Sequence, residues 1–228
     1  MKMKNIEILD WGLIPYLEGW TQQKQLFNEI LTAKQNKVSN KNYLVFCEHP
    51  HVYTLGKNGK ISNMLHNSEF YKHIGATFVE IERGGDVTYH GPGQLVVYPI
   101  INLEDFHLGI KEYIFILEEA VIRTCRHFNI LATRVDHAIG VWIDPDGPNA
   151  RKICAIGVKC SRFVSMHGLA LNVNTDLNFF NHINPCGYVD KSVTSMEKEL
   201  GKPLNFEEVE DILRNHLVDL LDEHRNRK

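Results

Sequence analysis

Several features that would assign a chain to a common functional class are missing from this sequence. No apolar run reaches the roughly 18 to 20 residues that a membrane-spanning helix needs, and residues 1–7 lack the apolar stretch of a signal peptide. The 25 Lys and Arg residues are outnumbered by 28 Asp and Glu residues, whereas a nucleic-acid-binding domain is normally basic. We therefore expect a cytoplasmic protein that binds neither a membrane nor nucleic acid.

The sequence also lacks the signatures of metal, disulfide and serine-hydrolase chemistry. Its 12 histidines form no HExxH motif and no Cys/His quartet at zinc spacing, so no metal site is expected. The five cysteines form no CxxC pair, and there is no G-x-S-x-G elbow for a nucleophilic serine. In a reducing compartment we expect most of these cysteines to be small buried residues, with one of them available as a nucleophile.

Apolar periodicity predicts one α+β domain, in which helices flank a mixed sheet. The 228 residues show no composition break, so residues 1–228 are interpreted as a single domain. Helical spacing of apolar residues predicts helices at 15–34, 110–127 and 207–223. Short apolar and β-branched runs predict strands at 43–47, 52–55, 77–81, 94–101, 152–160 and 167–174. A solvent turn is expected at 144–149.

A glycine-dense segment, residues 83–94, is the first candidate for ligand binding. Glycine accepts positive φ and lets a ligand approach the main chain closely, so amides in this segment can point at a carbonyl or an anion. Arg83 at its start is suited to neutralise an acidic group, and Tyr89 and His90 are suited to wall a pocket. The alternative, that the glycines serve only the sterics of a tight turn, is equally consistent with the sequence.

One cysteine, Cys186, stands apart from the others because it lies in a Pro-Cys-Gly bend, which favours an exposed thiol. Cys47, Cys125 and Cys154 lie inside apolar runs and fit the buried role that is usual for this residue type. A free thiol is only a small fraction thiolate at neutral pH, and a neighbouring cation that lowers its pKa by about two units makes most of it thiolate. Cys186 is therefore a candidate nucleophile that needs a cation nearby.

Two lysines, Lys152 and Lys159, are candidates for that cation. Alternation along a strand places Lys152 on one face with Cys154 and Ile156, and Lys159 on the other face with Ala155. Because the two lysines are an odd number of residues apart, they cannot both face one pocket without a bulge. Lys152 lies on the more apolar face, where partial desolvation would suit it to stabilise a thiolate or to act as a base. The pattern alone does not choose between them, since either lysine is also consistent with a solvated edge charge.

The segment 167–174 alternates between large and small side chains. Leu169, Leu171 and Val173 face one way, whereas the other face carries only small or polar residues, which are Gly168, Ala170, Asn172 and Asn174. The small face leaves room beside the sheet for an extended ligand. Close packing of a helix there is the alternative.

Taken together, these segments resemble the octanoyltransferases of lipoate biosynthesis, the octanoyl-[acyl-carrier-protein]:protein N-octanoyltransferase family. The resemblance covers about residues 43–195, in order and at compatible spacing. The matching motifs are Glu48-His49-Pro50, Thr54-Leu55-Gly56 and the segments 83–94, 151–158, 167–173 and 184–187.

The resemblance implies a fold similar to the catalytic domain of biotin and lipoate protein ligases. It also implies a catalytic pair, Cys186 and Lys152, that transfers an octanoyl group through a thioester without ATP or another cofactor. The implied acyl-binding residues are Arg83, Gly84, Gly85, Asp86, Val87, Thr88, Tyr89, His90, Ala155, Ile156, Gly157, Gly168, Leu169 and Ala170.

The resemblance further implies the protein partners of the reaction. The donor is octanoyl-acyl carrier protein, and the acceptors are lipoyl domains of 2-oxoacid dehydrogenase E2 subunits and the glycine cleavage H protein. Because such partners are typically acidic, Arg151, Lys159 and Arg162 are candidates for a docking patch.

Two other functions compete with octanoyl transfer. An ATP-dependent lipoate or biotin protein ligase would use a lysine without a catalytic cysteine, and the Pro-Cys-Gly bend argues against it. A non-catalytic domain that binds acyl groups or carrier proteins would need no reactive thiol.

Overall fold

The structure is a computed structural model that describes residues 6–184 and 192–226. Within these ranges the helices are α1 (Tyr16–Gln35), α2 (Ser68–His73), α3 (Ile110–His127), α4 (Met196–Leu200) and α5 (Phe206–Arg225). The strands are β1 (Ile6–Leu13), β2 (Asn42–Glu48), β3 (Val52–Leu55), β4 (Thr77–Glu80), β5 (Val87–His90), β6 (Gln94–Ile100), β7 (Val141–Ile143), β8 (Arg151–Ser161), β9 (Val164–Asn172) and β10 (Ser192–Val193).

The main sheet is mixed, as the sequence predicts. Its strand order is β1-β2-β6-β9-β8-β10, and β7 pairs with β8 outside this path. β1 runs parallel to β2, and β10 runs parallel to β8, whereas β2, β6, β9 and β8 are successively antiparallel. A second sheet of three strands has the order β4-β3-β5. The predicted fold class, α+β with helices flanking a mixed sheet, is confirmed.

Helices cover both faces of the main sheet, and alternation along its central strands divides the core in two. Leu44 and Phe46 of β2 pack with residues of α3 and α5 in one cluster. Val45, between them in sequence, packs on the other face with Phe27 and Ile30 of α1. The face that α1 partly covers also carries the main pocket of the protein.

All three predicted helices and all six predicted strands are present, with small shifts at their ends. One correction concerns the glycine-dense segment, which is not a single turn because residues 87–90 form strand β5. β5 pairs antiparallel with β3, so that Val87 lies opposite Leu55 and His90 lies opposite Val52.

A bulge in β8 overturns the predicted faces of this strand. Val141 of β7 pairs with Cys154, whereas the next residue, Trp142, pairs with Lys152, so Ile153 is the extra residue. Ile153 and Cys154 are both fully buried in the cluster beneath α3 and α5. Alternation predicts that Lys152 shares a face of β8 with Cys154, and this prediction is wrong. The bulge places Lys152 on the opposite face, where it borders the pocket.

Candidate active site

The main pocket lies on the face of the sheet that α1 partly covers and has a volume of about 550 Å³. Three segments bring most of the predicted site residues into its wall. They are residues 83–86, here called the glycine-rich loop, together with β5; the middle of β8; and β9. The predicted residues that line it are Lys152, Arg83, Gly84, Gly85, Asp86, Val87, Thr88, His90, Ala155, Ile156, Gly157, Gly168, Leu169 and Ala170. One further predicted residue, Tyr89, does not line the pocket. Its fully buried ring belongs to a separate cluster, and its hydroxyl is 2.7 Å from Nδ1 of His51.

The floor of the pocket consists of small residues on two paired strands. Ala155 lies opposite Ala170, and Gly157 lies opposite Gly168 in the β8–β9 ladder. Of the two interpretations of segment 167–174, the structure favours the one that leaves room for an extended ligand.

Arg83 fixes the glycine-rich loop rather than pointing into open solvent. Its Nη2 atom donates to the carbonyl oxygen of Thr54 at 3.0 Å and to the Thr54 hydroxyl at 2.8 Å, and its Nη1 atom donates to the Gly84 carbonyl at 3.0 Å. The side chain is buried, and its positive charge beside the pocket adds to the larger effect of burial in lowering the pKa of His90 and of His167. Arg83 thus has a structural role in addition to any contact with a ligand.

Close packing of the loop against β8 explains part of its glycine content. The Gly84 amide donates to the Val158 carbonyl at 3.0 Å, and a Cβ atom on Gly157 would lie 2.9 Å from the Gly84 carbonyl oxygen. Gly85 has a φ of +89°, which favours glycine. The steric interpretation of these glycines therefore holds. Because the same loop also lines the pocket, ligand binding by this segment stays a prediction.

Of the two candidate lysines, Lys152 is the one that lines the pocket. Its Nζ atom donates to the Ile139 carbonyl at 3.2 Å and lies 4.6 Å from the centre of the Trp142 ring. Lys159 is instead in an ion pair with Glu82. The bulge at Ile153 produces this outcome, since it turns Lys152 toward the cavity.

Cys186 lies outside the described residues, and its proposed role stays a prediction. Among the described residues that follow it, Ser192 and Val193 line the pocket and pair with Arg151 and Lys152.

None of the described cysteines is poised as a thiolate. Cys47, Cys125 and Cys154 are buried, as predicted, and burial raises the pKa of each thiol. Cys160 is exposed, and its pKa is also raised by partial burial of the thiol.

The sequence alone did not reveal a buried group of imidazole and phenol side chains at the pocket. His90 and Tyr98 line the pocket, and His49 lies behind Tyr98. His49 donates from Nδ1 to the Ile14 carbonyl at 2.7 Å, and its Nε2 atom lies 2.6 Å from the Tyr98 hydroxyl. His90 donates from Nδ1 to Oε1 of Gln94 at 2.7 Å. Burial lowers the pKa of His49 to about 4 and that of His90 to about 3, so both rings are neutral at pH 7.

A third buried histidine, His167, lines the same pocket. It is 2 % exposed, has a φ of +61°, and neither ring nitrogen has a hydrogen-bond partner among the described residues. Burial lowers its pKa to about 3. The pocket wall therefore combines a small-residue floor, the Lys152 ammonium group and the neutral imidazoles of His90 and His167.

Two of the three residues predicted to form a docking patch are committed to ion pairs within the chain. Arg151 makes two 2.6 Å contacts with Glu199, and Lys159 pairs with Glu82. Their charges are therefore compensated locally.

In the described part of the chain, no helix is both long and apolar enough to cross a membrane. The same residues contain no group of three or more His, Cys, Asp or Glu side chains placed to hold a metal ion.

The site thus places a small-residue floor, a lysine and a glycine-rich loop around one pocket. The family model described as the lipoyl protein ligase A/B catalytic domain matches residues 15–218. The chain belongs to this family.

Sequence relatives specify the reaction. An octanoyltransferase from Bacteroides fragilis (strain YCH46) is 57% identical over 212 residues, which are 93% of this chain and 96% of the relative. An octanoyltransferase from Bacteroides thetaiotaomicron is 54% identical over 223 residues, or 98% of each chain. The chain is accordingly an acyltransferase that transfers octanoyl groups in protein lipoylation.

Solved structures share the fold at low sequence identity. A bipartite lipoate protein ligase from Thermoplasma acidophilum superposes with a TM-score of 0.70 at 16% identity, covering 96% of this chain and 85% of the other. The biotin protein ligase of Aquifex aeolicus superposes with a TM-score of 0.52 at 13% identity, covering 99% of this chain and 72% of the other. The predicted similarity to the catalytic domain of both ligases is confirmed.

Proposed function

We propose that the chain transfers an octanoyl group from octanoyl-acyl carrier protein to a lysine of a lipoyl domain through a thioester on Cys186. The observation that carries this proposal is the position of Lys152, which the β8 bulge turns into the pocket at one end of the floor formed by Ala155, Gly157 and Ala170. Reactive carbonyl and acyl chain would thus occupy one continuous cavity.

In the first step, the Cys186 thiolate attacks the carbonyl carbon of the donor thioester. A new carbon–sulfur bond forms, and the carrier protein leaves as its thiolate, which takes the proton that Cys186 gave up. Lys152 favours the thiolate of Cys186 by its charge and can pass this proton between the two sulfurs. Because one thioester replaces another, the exchange needs no ATP.

In the second step, the amine of a lipoyl-domain lysine attacks the acyl-enzyme. An amide forms, the Cys186 sulfur leaves, and the amine proton returns to the thiolate or to Lys152. An amide is more stable than a thioester, so this step runs downhill.

The acyl chain would lie along the small-residue floor. There it is bounded by Val96 of β6 on the same face and by Tyr16 at the start of α1. A volume of about 550 Å³ accommodates an eight-carbon chain. The neutral state of His90 and His167 suits this environment, since no imidazolium charge then has to be buried against the acyl chain.

The proposed acceptors are lipoyl domains of 2-oxoacid dehydrogenase E2 subunits and the glycine cleavage H protein. The lipoate protein ligase of Thermoplasma acidophilum, which shares the fold, is described together with its E2 lipoyl domain. We place the reaction in the cytoplasm, where free cysteines such as the four described ones are normal.

The test is intact-protein mass spectrometry after mixing the pure chain with octanoyl-carrier protein in the absence of ATP. We expect an octanoyl adduct that hydroxylamine removes, that is lost in Cys186→Ala and that is passed on to an added lipoyl domain. Cys160→Ala is the matched control, since Cys160 is exposed but lies outside the pocket wall. Acylation that requires ATP and free octanoate would show a ligase instead, and a fully active Cys186→Ala protein would refute the thioester.

A further inference from the structure

A buried carboxylate, Glu118, supports the turn that holds Lys152. Glu118 lies on α3 and is 8 % exposed. Its Oε1 atom accepts the amide hydrogen of Gly140 at 3.0 Å. The preceding residue, Ile139, presents the carbonyl that accepts the hydrogen bond from Nζ of Lys152 at 3.2 Å. Glu118 is therefore two hydrogen bonds away from the lysine ammonium.

The turn that links them leaves little freedom. Gly140 has a φ of +121°, and a Cβ atom there would lie 2.6 Å from the Cys154 carbonyl oxygen and 3.4 Å from Cε of Lys152. The indole nitrogen of Trp142 donates to the Ala138 carbonyl at 3.0 Å and closes the other side of the turn. The Trp142 ring also lies beneath the Lys152 ammonium.

The titratable groups around Glu118 come from two elements, the loop before β7 and β8. Arg134, in the loop before β7, places Nε 3.3 Å from Oε2 of Glu118. From β8, the Lys152 ammonium and the buried thiol of Cys154 act on the same region. Burial raises the pKa of Glu118, whereas the Gly140 amide, Arg134 and Lys152 oppose this effect. By reciprocity, the carboxylate stabilises the protonated form of Lys152.

We propose that Glu118 is a positioning residue that orients Lys152 through the Ile139–Gly140 turn and favours its protonated form when the Cys186 thiolate forms. This inference rests on the proposed role of Lys152 beside Cys186. Glu118 does not line the pocket, so it acts on the reaction only through the turn and through its charge.

The test compares Glu118→Gln with Glu119→Gln. The first change keeps the length of the side chain and an oxygen that can accept the Gly140 amide hydrogen, but it removes the charge. Glu119 is the matched control because it is the next residue of α3 and contacts the same Arg134 at 2.5 Å, with Arg123 as its other partner. The readout is the pH profile, from 6 to 10, of octanoyl-adduct formation in a single turnover.

The alkaline limb of this profile, where Lys152 loses its proton, should move to lower pH by about one unit in Glu118→Gln. It should stay in place in Glu119→Gln. The proposal would be overturned if the alkaline limb of Glu118→Gln lay at the same pH as that of wild type. It would also be overturned if the limb moved equally far in Glu118→Gln and Glu119→Gln.

A second variant separates charge from reach and covers the case in which Glu118→Gln folds poorly. Glu118→Asp keeps the charge but shortens the side chain, so we expect a several-fold slower plateau with the alkaline limb close to that of wild type. A limb that shifts in Glu118→Asp as far as in Glu118→Gln would contradict the electrostatic role. If the wild type itself forms no adduct on Cys186, the proposed function fails, whereas a normal wild-type adduct with unchanged variants defeats only the role of Glu118.

Discussion

Acidification should destabilise this fold steeply because three buried histidines resist protonation. The pKa values are about 4 for His49 and about 3 for His90 and His167, with burial as the main cause in each case. In the unfolded chain a histidine titrates near pH 6.5. Well above pH 6.5 these histidines are neutral in both the folded and the unfolded chain, so their titration does not change the free energy of unfolding there. Below pH 6.5 the unfolded chain binds protons that the folded protein does not, and stability falls until the folded values are reached.

Each such histidine removes about 1.4 kcal/mol of unfolding free energy per pH unit in this window. From pH 6.5 to 5, this amounts to about 2 kcal/mol for each histidine and about 6 kcal/mol for the three together. The total free energy of unfolding of a typical domain is only about 5–15 kcal/mol. We therefore expect the protein to approach unfolding near pH 5, as measured by urea denaturation followed by circular dichroism.

His167→Asn isolates one of the three contributions, and asparagine tolerates the positive φ at this position. Between pH 7 and 5 this variant should lose about 2 kcal/mol less unfolding free energy than wild type. His73→Gln, at an exposed position of α2, controls for the loss of a histidine as such and should keep the wild-type slope. Equal slopes for His167→Asn and wild type would refute the reasoning.

Three further substitutions, with Gly19→Ala as the control for the first, test contacts in and near the pocket. Gly168→Ala would place a Cβ atom 2.1 Å from the Val97 carbonyl oxygen, so it should cost about 2 kcal/mol or more in thermal unfolding. In Gly19→Ala of α1, the added Cβ atom has no neighbour closer than 3.4 Å, so this change should be neutral or stabilising. Equal losses of unfolding free energy in the two alanine variants would contradict the packing argument. Arg83→Lys removes the guanidinium hydrogen bonds to Thr54 and Gly84. It should lower the unfolding free energy measured by urea denaturation by about 2–4 kcal/mol. An unchanged urea midpoint would show that these hydrogen bonds contribute little to stability. Arg151→Ala should lower the unfolding free energy by about 1–2 kcal/mol, because the ion pair with Glu199 is lost. KM for octanoyl-carrier protein should stay within about twofold of the wild-type value, as expected for an exposed charge that contributes little to binding. A large rise in KM would instead restore Arg151 to a docking role.

The fold could be predicted from the sequence where the signal was local and long. Amphipathic spacing over about five turns defined α3 and α5, and buried apolar runs defined β2 and β6. The elements that were missed are short, such as the three residues of β7 and the two of β10, which contain too few residues for any period to show. β1 was missed for another reason, since it is an edge strand with no fully buried residue.

The site was predictable mainly through the resemblance of its motifs, and the exceptions are instructive. Alternation placed Lys152 on the wrong face because the bulge at Ile153 depends on pairing with β7, which the sequence of β8 does not contain. Glu118 was missed because it is one charged residue within an otherwise ordinary amphipathic helix. Its importance arises from a contact with Gly140, which is 22 residues away in the chain. The role of Cys186 and the extent of the domain remain predictions.

The small-residue floor has a consequence for how such an enzyme can diversify. Ala155 and Ala170 face each other across two strands, whereas the groups that hold Lys152 come from α3, β7 and the loop before β7. Enlarging either alanine by one or two methyl groups would shorten the usable cavity and leave the ammonium undisturbed. Under the proposed function, acyl length and chemical reactivity would thus depend on separate positions, and single substitutions at either alanine would change the accepted acyl length without touching the groups that hold Lys152.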